Sequence, residues 1–213
     1  MTVDELCAVY PRLYHMAEAS AWPSIQAYGL MSTSALLELY EVPEPQRSII
    51  ESSQRPDFVS VSHPRLGTSW IRDQRPLSDA GLLRALTDMK PPAWYRLLNG
   101  KVFFWVNEAR LTKLLGTYHH RDNIVLVLDT AKVMARCAQD TFLCPINSGF
   151  TRRFPQPRGS NTFRTIADYP FSEWLKKRGV KDAIAECTVN HRVPGVTEML
   201  VELRSHPKTT RGE

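Results

Sequence analysis

The amino-acid sequence predicts an α+β domain, and three observations carry that expectation. Two unbroken apolar runs of strand length, Val102–Val106 (VFFWV) and Ile124–Leu128 (IVLVL), are rich in β-branched and aromatic residues and read as buried sheet strands. Glu108–Leu115 between them has helical patterning, so the middle of the chain runs strand, helix, strand. Further strand patterns stand near both ends, at Arg12–Met16, Ala183–Val189 and Met199–Arg204.

The other elements follow from local signals. Residues 3–9 form a short amphipathic helix, and Pro11 cannot continue it. Ser20 as cap, Pro23 in the first turn and Gly29 as terminator delimit a helix over Ser20–Tyr28. Ser34–Leu39 continues as helix until Val42–Pro45 breaks it, Phe58–Ser62 alternates, and His63–Pro76 reads as loop. A helix at Asp79–Asp88 is followed by a Pro91-Pro92 break, and Thr141–Cys144 reads as a strand. Residues 145–162 hold Pro145, Gly149, Pro155, Pro157 and Gly159, a long loop of the functional kind. Phe171–Arg178 is helical and Gly179 ends it.

A chain of 213 residues, 43% of them hydrophobic, can bury one sizeable core, so a single domain is expected over 1–204, with a disordered tail over 205–213. No apolar run approaches the ~20 residues of a membrane-spanning helix, and Asp4 and Glu5 oppose a secretory signal. A cytoplasmic protein with no membrane partner is expected. Cys7, Cys137, Cys144 and Cys187 form no C-x-x-C pair and read as reduced core thiols, and no metal site is expected. The absence of a Gly-rich phosphate loop leaves nucleotide hydrolysis and dehydrogenase chemistry without support.

Charge is concentrated. Between Pro145 and Lys181 eight basic residues face only Asp168 and Glu173, a larger surplus than the +5 of the whole chain. Phe150, Phe154, Phe163, Tyr169 and Trp174 are interleaved with these cations, a composition suited to stacking on bases while pairing with phosphates.

Two further patterns point to a family. Ala185-Glu186 sits in an apolar strand and is followed by Val193-Pro194 and another apolar strand. Near the start stand Leu13-Tyr14-His15, a turn, Ile25 and Gly29-Leu30-Met31-Ser32. Together they resemble the DarT-like DNA ADP-ribosyltransferase toxins of a diverged ADP-ribosyltransferase superfamily. The middle of the chain looks closer to a related bacterial family of uncharacterised domains.

The resemblance implies an ADP-ribosyltransferase-like core of two small packed β-sheets with peripheral helices. It implies NAD as co-substrate, with Glu186 the essential carboxylate. A fixed anion stabilises the positive charge that builds on the ribose as nicotinamide leaves, and can serve as base for the incoming nucleophile. His15 matches the family's NAD-bonding histidine, and Gly29, Leu30 and Ser32 belong to the same NAD-binding set. Arg72, in Trp70-Ile71-Arg72-Asp73-Gln74, is the second catalytic candidate, because a planar guanidinium holds a pyrophosphate in a bidentate geometry. Arg65 is the alternative, and Trp105 is expected against nicotinamide. Arg152, Arg153, Phe154 and Arg158 are expected to bind the acceptor, a nucleic acid, DNA ahead of RNA.

The implied function is NAD-dependent ADP-ribosylation of a nucleic-acid base by a toxin or phage-defence factor, with room for an antitoxin partner. An NAD-using RNA 2′-phosphotransferase and a non-catalytic nucleic-acid-binding module on the same scaffold are the alternatives.

Overall fold

The structure, a computed structural model, describes residues 1–209. Helix α1 (Val3–Val9) opens with a capping box in which Thr2 and Glu5 exchange hydrogen bonds. Strand β1 (Arg12–Glu18), a 3₁₀ turn, α2 (Trp22–Tyr28), β2 (Leu30–Met31), α3 (Thr33–Leu39) and α4 (Gln46–Ser52) follow. Next come β3 (Val59–His63), β4 (Gly67–Ile71), α5 (Asp79–Ala85), α6 (Pro91–Asn99), β5 (Lys101–Trp105), α7 (Glu108–Thr117), β6 (Asn123–Asp129), α8 (Thr130–Cys137) and β7 (Thr141–Cys144). The chain closes with β8 (Arg164–Thr165), α9 (Phe171–Arg178), α10 (Val180–Ala183), β9 (Glu186–Asn190), β10 (Arg192–Val193), α11 (Val196–Met199) and β11 (Leu200–His206).

Seven strands form one antiparallel sheet in the order β11-β6-β1-β5-β9-β7-β8, and β2-β10 and β3-β4 form two-stranded ribbons. The expected pair of small sheets is thus a single sheet, although a weakly joined one. β1 pairs with β6 along its whole length, from Arg12–Asp129 to Glu18–Asn123, but meets β5 only at Tyr14 opposite Trp105. Past that pair the two halves of the sheet part.

Helices cover both faces, which is why β6 tolerates an unbroken apolar run. Its Ile124, Leu126 and Leu128 join Leu13, Phe104 and Cys187 in a core with Leu6 of α1 and Val133 and Met134 of α8. Val125 and Val127 pack on the other face with Met16 and Leu111 of α7. In α8 the buried Thr130, Val133, Met134 and Cys137 recur at helical spacing, and Asp129 caps its start by accepting from Lys132 N–H at 3.1 Å. A satellite core of Leu37, Tyr40, Ile50, Val61 and Ile71 ties α3 and α4 to the β3-β4 hairpin.

Several expectations need correction. The loop read over His63–Pro76 contains β4, because Gly67 at φ 74° turns the chain and Ile71 buries beside Val61. Pro91-Pro92 opens α6 instead of breaking the chain there, since the first turn of a helix does not use the missing N–H groups. Trp94, Tyr95 and Leu98 of that helix are buried. Ser20 lies in the 3₁₀ turn and does not cap α2, whose N-cap Ala21 makes no side-chain bond. The tail expected from Ser205 is structured further: Ser205 and His206 pair with Ile124 and Asn123, and Thr209 N–H donates to His119 O at 2.8 Å. Residues 210–213 lie outside the described residues. Among those described, no helix is long and apolar enough to cross a membrane.

Candidate functional site

Where β1 and β5 part, a cleft of about 540 Å³ opens, within the range of small-molecule sites. His15, Gly29, Leu30, Ser32 and Arg72 all line it. His15 crosses the gap with its side chain, its Nδ1 lying 2.8 Å from Phe103 O. A carbonyl only accepts, so the proton sits on Nδ1 and Nε2 is left as an acceptor. Burial brings the imidazole pKa down to about 4, opposed by the Phe103 carbonyl and helped by Arg72, so the ring is neutral at pH 7.

Arg72 lies on the β4 side of the cleft. Its guanidinium stacks 4.7 Å from the centre of the Tyr118 ring and donates to Met16 O at 3.4 Å. The two neighbouring carboxylates are engaged elsewhere: Glu18 pairs with Arg121, and Asp73 accepts from Tyr118 O–H at 3.1 Å and Arg75 N–H at 3.0 Å. An arginine that lines a cleft and forms no ion pair among the described residues suits an anion.

The glycine, leucine and serine shape the wall by other means than expected. Gly29 terminates α2 and adopts φ 81°, Leu30 buries its side chain in the main core, and Ser32 caps α3 by accepting from Ala35 N–H at 3.1 Å. All three lie in the cleft wall while being committed to the fold. Arg65 is exposed in the β3-β4 turn and does not line the cleft. A place on that turn keeps it in solvent.

Glu186 stands elsewhere. The register sets Tyr14 opposite Trp105, Trp105 opposite Glu186 and Glu186 opposite Cys144, so these four share one face of the sheet. His15, one residue on, belongs to the other face, and Glu186 does not line the cleft. The glutamate is only 4% exposed. Both carboxylate oxygens accept from Ser148 N–H, at 3.2 and 3.3 Å, and Ser148 Oγ lies against them without a satisfied hydrogen bond. Burial raises the carboxyl to about 7, against the pull of Ser148, Arg110 and Arg158.

Trp105 follows the same alternation, so it too is absent from the cleft beside His15. It lines a larger depression of about 1030 Å³ on the Glu186 face, together with Tyr118, Asn147 and Phe150. The expected acceptor residues divide. Arg152, Arg153 and Phe154 are exposed, Phe154 to 92%. Arg158 is 3% exposed and is a strut, donating to the carbonyls of Ser148 (2.7 Å), Phe150 (3.0 Å) and Gln156 (3.0 Å). It pins the segment that covers Glu186. Arg158→Ala is expected to lower stability by about 3 kcal/mol because buried carbonyls lose their donors. Arg152→Ala should stay within ~0.5 kcal/mol, both read by urea unfolding.

Tyr118 and Ser148 escaped sequence reading as site residues. Tyr118 stands before His119-His120 in what reads as an exposed turn, and its burial against Arg72 is a long-range contact. Ser148 had one local signal, the turn-forming Asn147-Ser148-Gly149 triplet.

Fold and site together define a mixed α/β protein whose antiparallel sheet is parted by a cleft bearing a neutral histidine and an arginine that has no carboxylate partner among the described residues. The chain belongs to DUF7002, a family of unknown function whose sequence model matches residues 11–200. No curated protein matches the chain.

Proposed function

We propose that the chain binds NAD in the split-sheet cleft and transfers its ADP-ribose to a nucleic-acid base. The observation that carries this reading is the pairing of His15 and Arg72 in one cleft. Nε2 of a neutral His15 accepts a hydrogen bond from a ribose hydroxyl, and the guanidinium of Arg72 holds the pyrophosphate. In the transfer, the bond from ribose C1′ to nicotinamide breaks, a bond from the base to C1′ forms, and the nucleophile's proton passes to Glu186. That role requires an ionised carboxylate, so turnover should rise with pH through about 7. It also requires the nicotinamide end to pass the Tyr14–Trp105 pair and the Ser148 cap to withdraw.

The capped Glu186, outside the cleft, favours a second reading, a ligand-binding module without turnover. Adenine-labelled NAD, incubated with single-stranded DNA, RNA or cell protein, separates the two. The transferase reading expects label on a nucleic acid and a loss of roughly 10²–10³-fold in Glu186→Gln. Folded protein that neither transfers label nor releases nicotinamide overturns it in favour of the binding module.

A further inference from the structure

The depression over Trp105 is larger than the split-sheet cleft, and the proposed NAD site leaves it without a ligand. Trp105 lines it with one part of its indole packed on the Met16–Leu111–Tyr118 core and the rest exposed, and Phe150, 43% exposed, lines it too. Its acidic residues are already engaged. Asp57 pairs with Arg75 at 2.7 Å, Asp182 with Arg110 at 2.5 Å, and Asp73 accepts from Tyr118. Lys113 and Lys181 are exposed and enter no ion pair among the described residues, and Arg152 donates only to Arg75 O, at 3.3 Å. The depression therefore carries uncompensated positive charge around an aromatic surface.

We infer that the Trp105 depression binds single-stranded nucleic acid, with an unpaired base stacked on the indole and neighbouring phosphates on Lys113, Arg152 and Lys181. Stacking supplies affinity without sequence preference, because every base has a π-face, while the cations follow the backbone. A duplex hides its base faces and would leave the indole unused. An acidic peptide would satisfy the cations and likewise leave the indole bare. The site adjoins the covered carboxylate, since Asn147 lines it, Ser148 caps Glu186, and Trp105 lies opposite Glu186 in the sheet. The inference rests on the nucleic-acid half of the proposed function and not on NAD.

The test is fluorescence anisotropy with labelled oligothymidylate and oligouridylate, without NAD, so that a failure of the NAD reading leaves the result untouched. Binding should weaken about tenfold in Trp105→Ala and persist in Trp105→Phe, which keeps an aromatic face. The double variant Lys113→Glu, Lys181→Glu should flatten the dependence of log K on log salt by roughly 0.7 for each lost phosphate contact. The assignment is overturned if Trp105→Ala, shown folded by circular dichroism, binds as tightly as the native chain. Equal binding of a duplex of the same length, or of polyglutamate, overturns it as well.

Discussion

Gly29→Ala should lower stability by about 3 kcal/mol or more, because two costs act at one position. Gly29 holds φ 81° and ψ −176°, a region open essentially to glycine. A Cβ built there would lie 2.2 Å from Val193 O and 3.0 Å from Pro194 Cα, both backbone atoms. Neither can move aside without disturbing the pairing of Leu30 with Val193 that forms the β2-β10 ribbon. Gly67 offers the control: it also has positive φ, at 74°, but its Cβ would meet nothing within 4 Å, so Gly67→Ala should cost only about 1 kcal/mol of backbone strain. Urea unfolding of the two variants checks the difference. Equal costs would mean that the close approach to Val193 contributes nothing and that Gly29 matters through its dihedrals alone. Since β2 forms part of the cleft wall, the NAD binding proposed for that cleft should fall with the fold in Gly29→Ala.

Glu186→Gln should stabilise the protein above pH 7 by up to about 3 kcal/mol, with the gain vanishing in acid. The folded carboxyl titrates near 7, above its ordinary 4.5, because burial disfavours the charged form. The folded state therefore holds the proton more tightly than the unfolded state. Below pH 4.5 both states are protonated and the group contributes no difference. As pH rises towards 7, the unfolded state releases its proton first and stability falls; above 7 the penalty levels off. A glutamine keeps an acceptor for Ser148 N–H and carries no such penalty. Unfolding measured at pH 4 and pH 8 tests the sign. A variant less stable than the native chain at pH 8 would show that Ser148, Arg110 and Arg158 favour the carboxylate more strongly than burial opposes it. If the proposed transfer is correct, the substitution that strengthens the fold is the one that removes turnover, as expected where a charge is kept buried for chemistry.

Local signals made much of this protein legible in its sequence. The apolar runs VFFWV and IVLVL correspond to β5 and β6, and the patterns at residues 3–9, Glu108–Leu115 and Phe171–Arg178 correspond to α1, α7 and α9. Gly29 and Gly179 end helices as their positions imply. These features depend on the chemistry of a few neighbouring residues, through periodicity, capping and backbone freedom.

Tertiary structure decided the rest. Alternation shows that Trp105 and Phe104 point oppositely, but which face of the sheet each shares with His15 or Glu186 depends on the register of β1, β5 and β9, strands that lie far apart in the chain. That register separates Glu186 and Trp105 from His15. Composition likewise treats Arg152 and Arg158 alike, yet one stands in solvent and the other is buried on three carbonyls, because only the closed path of the 147–158 segment brings those carbonyls round it. The amino-acid sequence by itself determined the elements with strong local patterning, such as β5, β6 and α7, but not β4 or the start of α6. The pairing of distant strands determined which side chains face one another, since a shift of one residue in a strand turns every side chain to the other face.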